Sequence, residues 1–355
     1  MEKEMKPIGI KDVAKTAGVS ISTVSHVLNG TKPVSDSLRK RVMDAVEELH
    51  YEVNMVAKGL KSGRTHNIAV VVNSLTSIFF PPLLQSIQGD ADRLGYTVTV
   101  FATGGELNKE QELIQMLKSL WIDGIILSSC ADTADPANVS YLEELTDLKI
   151  NGHPIPLICI ESELNTRLDA VIVDDVDGIF TAFNHLYDIG RRHIAYIAAP
   201  FAYNTGKLRK EGYLASLKKY NLPFNSRLIL EGDYTPVSGY ECMKTILASG
   251  EMIDGLIAGN DQMAIGAMRA AMDKGLKIPE DIAVIGYDDN FPASLIQMSS
   301  INIPKEEMGK MALELLMRRI ENPNASRMLI RLNGDLVVRN STVAGTKSTW
   351  DLENW

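Results

Sequence analysis

The chain has 355 residues, a formal net charge of −9, and 45% hydrophobic against 23% charged residues. This composition is typical of a globular protein, and the length predicts two or three domains because a single core stops growing at about 250–300 residues. No apolar run reaches the ~18 residues of a membrane helix, and the charged start MEKEMKPIGIKDVAK does not resemble a secretory signal. We therefore expect a cytoplasmic protein without a membrane partner. Cys130, Cys159 and Cys242 follow no pairing pattern, which fits reduced thiols.

The charge is divided unevenly along the chain. Residues 1–65 contain 11 lysines and arginines against 8 aspartates and glutamates, a net charge of +3, which leaves −12 for the remainder. Because salt screens charges beyond about 8 Å, a basic head can attract a polyanion even when the whole protein is acidic. A charge of +3 is equally compatible with an ordinary solvated surface, so charge alone does not decide between these interpretations.

Three short helices are predicted in this head. The stretch IKDVAKTA has its apolar residues on one helical face, and Gly18 ends the helix. Ser20 is placed to cap a second helix from Ile21 to Asn29, and Ser35 to cap a third. Two short helices joined by a three-residue turn that contains glycine predict a helix-turn-helix.

The second helix carries the short polar side chains of Ser22, Thr23 and Ser25, together with His26. A recognition helix must enter a major groove about 12 Å wide, so short donors suit contacts to phosphates and base edges. The alternative is that these serines and the threonine only cap and solvate the helix, as Ser20 is expected to do.

The stretch IKDVAKTAGVSISTVSHVLNG, followed by VSDSLRKRVMDAVEELHYEVNMVAKGLKSGRT, resembles the DNA-binding head of the lactose-repressor and galactose-repressor family of bacterial transcription regulators. The resemblance implies a homodimer on palindromic double-stranded operator DNA. It places Ile21, Ser22 and His26 on bases, and Thr23, Ser25 and Asn29 mostly on phosphates. Ser20, the expected cap of the same helix, is also predicted to be a DNA-binding residue.

His26 stands where the family usually has arginine. Arginine donates two parallel hydrogen bonds to guanine, whereas histidine presents one ring edge and a charge that depends on pH. We therefore expect the operator base that faces His26 to differ from the guanine common in the family, or to be recognised more weakly. The alternative is a histidine that contacts only phosphate or water.

Residues 54–66 are predicted to form a hinge. The stretch NMVAKGLKSGRT contains helix-forming residues, but Gly59 costs a helix about 1 kcal/mol and the segment is only a few turns long. In the family this segment becomes helical on the operator and inserts a leucine into the minor groove, which would be Leu60 here, with Lys61 on phosphate. The alternative is that Leu60 is one apolar residue of a linker.

From Asn67 onward, β-branched runs alternate with amphipathic helices. NIAVVV, TVTVFAT, GIILSS and PLICIE predict the strands of a first set, and AVIVDD, HIAYIAA, LILEGD, GLIAGN and IAVIGYDD those of a second. This alternation predicts parallel sheets with helices on both faces, arranged as two lobes. The late strands RMLIRL and DLVVRN indicate that the chain crosses between the lobes more than once.

The predicted fold class is α/β, with a small all-α helix-turn-helix head and a two-lobed body that resembles the family's effector domain and periplasmic sugar-binding proteins. Some members of the family form tetramers through a tail with a leucine heptad. The tail of this chain, with Trp350 and Trp355, has no such heptad, so a dimer is expected. No role is assigned to these tryptophans. The predicted boundaries are 8–53 for the head, 54–66 for the hinge, 67–343 for the effector-binding and dimerisation body and 344–355 for the tail, with the N-lobe at about 67–161 and 291–321 and the C-lobe at about 162–290 and 322–343.

Ligands of such sheets bind at the carboxyl ends of the strands, where this sequence has polar and aromatic residues. Sugar hydroxyls both donate and accept hydrogen bonds, which suits carboxylates, an amide, a guanidinium group and aromatic faces. By position and by the resemblance, the predicted effector-binding residues are Phe79, Phe80, Glu161, Arg209, Asn260 and Asp288.

Alternatives remain for several of these residues. Phe79 and Phe80 could be core residues, Arg209 could form a structural ion pair, and the neighbouring Asp261 is expected to cap its helix. Glu161 is followed by serine where the family commonly has an aspartate followed by arginine, so a common hexose or pentose is not assured.

Motifs for catalysis are absent from the sequence. There is no GxGxxG after the first strand, no P-loop, no CxxC and no HExxH, and the histidines lack metal-ligand spacing. We therefore expect no enzymatic activity, no cofactor and no metal site.

The residues and the resemblance together predict a sequence-specific DNA-binding transcription regulator, a repressor controlled by a small molecule bound between the lobes. A carbohydrate is the leading effector. The alternatives are a corepressor-type regulator that responds to a nucleobase or other metabolite, and a solute-binding module whose head serves another purpose. Inducer and corepressor action are both compatible with the sequence.

Overall fold

In a computed structural model of the chain, the described residues are 8–30, 32–51, 64–150, 152–164 and 167–346, without the side chain of Asn29. The predicted DNA contacts of Leu60 and Lys61 and of the Asn29 side chain, and the two tail tryptophans, lie outside the described part. The chain divides into two compact units, Met1–Thr65 and His66–Trp355.

The head contains the predicted helices, which are α1 (Ile10–Ala17), α2 (Ile21–Asn29) and α3 (Asp36–Glu48). Gly18 ends α1 in the left-handed region, at a φ of 61°. The Ser20 hydroxyl caps α2 by accepting a hydrogen bond from the Thr23 backbone N–H at 3.2 Å, whereas Ser35 makes no side-chain cap bond to α3. Apolar residues of all three helices form one small core: Val13, Ala14, Ala17, Val24, Val27, Val42 and Ala45.

The turn between α1 and α2 is held from outside by α3. The guanidinium group of Arg41 donates hydrogen bonds to the carbonyl oxygens of Ala17 at 2.6 Å and Gly18 at 3.1 Å. These carbonyls end α1 and have no partner within the helix, so the arginine satisfies them. The tight turn thus depends on a residue more than twenty positions further along the chain.

The larger unit contains strands and helices in alternation. Its strands are β1 (Asn67–Val72), β2 (Thr97–Ala102), β3 (Gly124–Leu127), β4 (Lys149–Ile150), β5 (His153–Pro154), β6 (Leu157–Glu161), β7 (Asp169–Val173), β8 (Ile194–Ala198), β9 (Ile229–Glu231), β10 (Gly255–Ala258), β11 (Ala283–Asp288), β12 (Ser299–Asn302), β13 (Leu329–Leu332) and β14 (Asp335–Val337). Its helices are α4 (Phe80–Arg93), α5 (Leu107–Ser119), α6 (Val139–Thr146), α7 (Asp175–Asp188), α8 (Asn204–Lys219), α9 (Pro236–Ala248), α10 (Asp261–Asp273), α11 (Phe291–Leu295) and α12 (Lys305–Glu321).

Two six-stranded sheets define the two lobes. The first has the strand order β13, β7, β6, β3, β1, β2, and all its pairs are parallel. The second has the order β14, β12, β11, β10, β8, β9 and is parallel except for β14, which pairs antiparallel with β12. Central strands such as β3 and β10 are buried along their whole length, as expected for parallel sheets covered on both faces.

The lobe boundaries differ from those predicted. The run AVIV forms β7, which pairs with β6 in the first sheet instead of belonging to the second set. Strand β12 lies in the second sheet, not in the first lobe, and β13 joins the first sheet. Buried parallel strands have the same apolar character in either sheet, so the sequence pattern does not distinguish the two.

The chain consequently crosses between the lobes three times, after β7, β12 and β13. Two of these crossovers are joined to each other, because the backbone N–H of Asp174 donates a hydrogen bond to the carbonyl oxygen of Leu332 at 3.1 Å. After the second crossover, α12 packs against α4 and the first sheet. Within the described ranges, none of the helices has the length and apolar character that crossing a membrane requires.

Candidate functional site

A cavity of about 270 Å³ lies in the cleft between the two lobes. Its walls come from the segments that follow β1, β2, β3 and β6 in the first sheet and β8, β9, β10 and β11 in the second. Carboxyl ends of parallel strands from both sheets therefore meet at one place, the usual position of a ligand site in such folds. All the residues predicted from the sequence for effector binding line this cavity: Phe79, Phe80, Glu161, Arg209, Asn260 and Asp288.

The two phenylalanines serve the cavity wall and the core at once. Phe79 and Phe80 are only 7% and 4% exposed and belong to a large apolar cluster that includes Leu83 and Ile87 of α4. Their rings meet edge to face, with centroids 5.2 Å apart. Both interpretations of these residues therefore apply, because the two phenylalanines line the cavity and also belong to the buried apolar cluster.

Arg209 is the most strongly bonded of the six residues. Its Nε donates to Asp175 Oδ1 at 2.7 Å and its Nη1 donates to the carbonyl oxygen of Gly259 at 2.5 Å. The guanidinium carbon lies 3.8 Å from the centroid of the Tyr287 ring, and Nη2 lies 3.9 Å from Asp288 Oδ1. Burial opposes the charge, but Asp175 and its other partners hold the pKa of Arg209 well above its ordinary value. Arg209 thus forms a structural ion pair and lines the cavity as well.

Glu161 has the backbone and the environment of a specialised residue. It adopts a positive φ of 67° at the end of β6, and its carboxylate accepts a short hydrogen bond from the Ser128 hydroxyl. Burial raises the pKa of Glu161 to about 7, against the lowering effects of Ser128 and of the Arg209 charge. Near neutral pH this side chain can therefore either donate or accept a hydrogen bond.

Asp288 lies opposite on the second lobe and is similarly unusual. Its φ is 101°, in a region that side chains other than glycine rarely adopt. Burial raises its pKa to about 6, although the charges of Arg209 and Lys305 act in the opposite direction. Strained backbone at two carboxylates of one cavity is typical of a site whose geometry serves binding.

Asn260 and Asp261 differ in their roles from the sequence expectation. Asn260 is the N-cap of α10, since its Oδ1 accepts from the Met263 N–H at 2.9 Å. Asp261 does not cap the helix; its carboxylate accepts hydrogen bonds from the Asn290 N–H and the Ser300 hydroxyl, each at 2.6 Å. As the first residue of the helix, Asp261 points across to the neighbouring strand connections instead.

Several cavity residues were not predicted from the sequence. They include Asn73, Ser129, Tyr203, Asn204 and Asp233. Each follows a strand or lies in the segment that opens a helix, which is the signal that identified the six predicted residues. The polar or aromatic character of these positions was present in the sequence, but only the pairing of the lobes brings them to one cavity.

The outer surface of the head carries the predicted DNA-binding residues of α2. Ile21 is 44% exposed, and Ser22 is also exposed at the start of the helix. The Ser20 hydroxyl lies 2.8 Å from that of Ser22 and 2.9 Å from that of Thr23, so the three hydroxyls form one cluster. Ser25 and His26 are half-buried further along. The arrangement presents short polar groups and one apolar side chain at the leading end of the helix.

Comparison with known proteins follows the same division of the chain. Residues 9–54 match the family of bacterial regulatory proteins called lacI, and residues 183–342 match a periplasmic binding protein-like domain. The transcriptional repressor PurR of Pasteurella multocida is 34% identical over 336 residues, which cover 94% of this chain and 98% of that protein. PurR of Mannheimia succiniciproducens is 32% identical over 335 residues, with coverages of 94% and 98%. The chain belongs to the lacI family of bacterial regulatory proteins.

Solved structures of this family agree in fold. The Lac repressor dimer bound to operator and the anti-inducer ONPF is 28% identical, with a TM-score of 0.84 over 96% of this chain and 100% of that one. A complex of the regulator CelR with cellobiose is 29% identical, with a TM-score of 0.69 and coverages of 94% and 99%. The predicted family and fold class are confirmed, and this lacI-family chain is a DNA-binding transcriptional repressor.

Replacement of Glu161 by glutamine should change how stability depends on pH. Folding raises the pKa of Glu161 from 4.5 to about 7. Its stabilising contribution is therefore complete below pH 4.5 and is lost as the pH rises to about 7. Relative to Glu161→Gln, the unfolding free energy of the wild type should fall by about 3 kcal/mol over this interval.

Urea unfolding of both proteins at a series of pH values measures this difference. Asp288 titrates in both proteins, and the comparison includes its Coulombic effect on Glu161. Glu112→Gln, at an exposed carboxylate of α5, is the matched control. A difference between wild type and Glu161→Gln that stays constant across the interval would contradict the prediction.

Proposed function

We propose that this repressor binds a palindromic operator as a homodimer in the cytoplasm, and that an uncharged polar small molecule, foremost a carbohydrate, controls its operator affinity from the cleft. The head supports the first part by its exposed polar α2, and the two-lobed body supports the second. Two helix-turn-helix units are required because one small head recognises only one half-site.

The class of effector is inferred from the charged side chains that line the cavity. Glu161, Asp233 and Asp288 are carboxylates on its wall, and Arg209 faces them as a cation already bonded to Asp175. An anionic ligand such as a sugar phosphate would be repelled at neutral pH, above all by Asp233, whose pKa is lowered, and by Asp288, whose pKa is about 6. It would also find the guanidinium charge already compensated. An uncharged ligand avoids this cost and can use the carboxylates as acceptors.

Polar uncharged groups around the cavity favour a polyhydroxylated molecule. Hydroxyl and amide side chains can each pair with a ligand hydroxyl as donor or acceptor. The structurally similar regulator CelR has been solved in complex with a carbohydrate, cellobiose, which supports this choice. The residues that supply such groups here are Asn73, Ser128, Ser129, Asn204, Thr205 and Asn260.

A nucleobase is the second candidate effector. It is favoured by the extensive similarity to repressors named PurR, which covers 94% of the chain. Against it stands the angle of 86° between the rings of Phe79 and Phe80, because two nearly perpendicular rings cannot both stack on one flat base. Both candidates are uncharged, so the carboxylates of the cavity would repel neither one.

Operator recognition and effector class are tested with one full-length preparation. Sites are first selected from a randomised duplex pool, and a palindrome is expected. Calorimetric titration then compares glucose, xylose and cellobiose with adenine, guanine and glucose 6-phosphate. We expect an uncharged sugar to bind, glucose 6-phosphate to fail, and Asp288→Asn to weaken binding while the exposed Asp177→Asn does not.

The outcomes distinguish the candidates. Binding of adenine or guanine in place of sugars would establish the nucleobase alternative, and tight binding of glucose 6-phosphate would refute the charge argument. The selected duplex, titrated with and without the bound compound, gives the direction of control. A ligand that prefers the operator-bound state is a corepressor, and one that prefers the other state is an inducer.

A further inference from the structure

Glu110 of α5 is a buried carboxylate that accepts hydrogen bonds from three uncharged groups of the first lobe. The residue is 0% exposed. Its Oε1 accepts from the Ser129 hydroxyl at 2.7 Å and from the Tyr141 hydroxyl at 2.8 Å. Its Oε2 accepts from the backbone N–H of Cys130. A buried carboxylate is costly unless it is hydrogen-bonded, so these donors allow Glu110 to stay in the interior.

The contacts of Ser129 leave it only one way to bond to a ligand. Ser129 follows β3 and lines the cavity, where it is half-buried. A serine hydroxyl has one proton to donate and two lone pairs that accept. Ser129 donates its proton to Glu110, and one lone pair accepts from the Ala131 N–H at 3.0 Å. One lone pair remains for the cavity, so Ser129 meets a ligand as an acceptor.

We propose that Glu110 fixes Ser129 as a hydrogen-bond acceptor, and that the effector therefore presents an O–H or N–H donor at this point of the cavity. Glu110 is a positioning residue, because it acts through Ser129. The inference rests on the proposed function in one respect, that the cavity is the effector site. A carbonyl, ether or fluorine placed against Ser129 is rejected, because two acceptors then face each other without a proton.

Glu110→Gln should reverse the polarity of Ser129. The backbone N–H of Cys130 can only donate, so the amide oxygen of the glutamine is expected to take the place of Oε2. The amide nitrogen then takes the place of Oε1 and donates to Ser129 Oγ, which still accepts from Ala131. With both lone pairs occupied, the Ser129 proton is directed into the cavity. The variant thus presents a donor where the wild type presents an acceptor.

Neutron diffraction from deuterium-exchanged crystals of the full chain locates this proton without any ligand. In the wild type, we expect deuterium between Ser129 Oγ and Glu110. In Glu110→Gln, we expect it to point from Ser129 Oγ into the cavity. A wild-type Ser129 whose deuterium points into the cavity would overturn the proposal. The wild-type map decides the matter by itself if Glu110→Gln does not fold.

Calorimetric titration measures the consequence for specificity. The probes are glucose and each of its monodeoxyfluoro analogues, or the xylose series if the wild type binds xylose alone. Fluorine can accept a hydrogen bond but cannot donate one, and binding of each analogue is expressed relative to its parent sugar. For the analogue whose fluorine faces Ser129, this ratio should be at least about tenfold higher in Ser129→Ala and in Glu110→Gln than in the wild type.

Two controls separate polarity from loosened packing. Glu112→Gln, at an exposed position of the same helix, should reproduce every wild-type ratio. The parent sugar should bind to Glu110→Gln and to the wild type with similar affinity, because a sugar hydroxyl can donate to Ser129 or accept from it. A general disturbance of the cavity would weaken the parent sugar and all analogues together, which would contradict the assigned role of Glu110.

The two experiments also separate this inference from the proposed function. Unchanged ratios for every analogue in folded Ser129→Ala and Glu110→Gln would overturn the inference while sugar binding stands. Failure of glucose, xylose and cellobiose to bind the wild type would instead refute the carbohydrate effector. The neutron maps of the unliganded protein do not depend on that result, so they still decide whether Glu110 holds the Ser129 proton.

Discussion

Replacement of Arg209 by methionine is expected to lower the free energy of unfolding by about 3–5 kcal/mol and to abolish ligand binding in the cleft. The substitution removes the hydrogen bonds to Asp175 and to the carbonyl of Gly259. It leaves the carboxylate of Asp175, on a residue only 2% exposed, without its cation. Removing one partner of a buried pair is costly because the other charge stays out of water.

Urea unfolding measures this loss. Calorimetry with whichever sugar or base binds the wild-type protein measures ligand binding. Arg269→Met is the matched control, because Arg269 pairs with Asp273 on the surface of α10 with 72% of its side chain exposed. Its effect should stay below about 1 kcal/mol. Arg209→Lys should recover only part of the loss, since an ammonium group cannot reproduce the fork of the guanidinium. A stable Arg209→Met protein that binds ligand normally would contradict the role assigned to this residue.

Replacement of His26 by arginine is expected to change the operator preference of the repressor. Arginine can make two parallel hydrogen bonds to guanine, which are worth about 1–3 kcal/mol of discrimination, or roughly 5- to 150-fold in relative affinity. The half-buried position of His26 on α2 leaves part of its side chain at the surface of the head. The half-site base that faces this residue should therefore shift toward guanine in the variant.

Parallel selections from one randomised duplex pool test this change, followed by titration of the recovered sites at fixed salt. The salt concentration must be the same because phosphate contacts make every affinity depend on it. Lys40→Arg, at an exposed position of α3, is the control and should select the wild-type site. Identical preferred sites for wild type and His26→Arg would contradict the prediction.

The structure of the head could be predicted because its signals are local. Gly18 allows the left-handed end of α1. The hydroxyl of Ser20 caps α2 by accepting a hydrogen bond from a backbone N–H only three residues further along the chain. Neither feature needs information from elsewhere in the chain. The position of Arg41 across the turn, by contrast, joins residues more than twenty positions apart and has no local signature.

The positions of the cavity residues followed from a rule of topology. Glu161 and Asp288 end strands, and parallel strands present their carboxyl ends at one edge. The sequence therefore identified which residues lie at the cavity, but not what holds them there. The bond between Arg209 and Asp175, and the ammonium group of Lys305 on the carbonyl of Asp288, depend on crossovers that only the folded chain defines.

By itself, the sequence determined the element types, the family and the edge of each sheet that forms the cleft, because periodicity, capping and strand ends are encoded within a few residues. The tertiary structure decided that β7 joins the first sheet and β12 the second, since apolar strands fit either sheet until their neighbours are present. It also decided that the buried charges meet at the crossovers. Such contacts depend on pairings distant in sequence, which local patterns do not record.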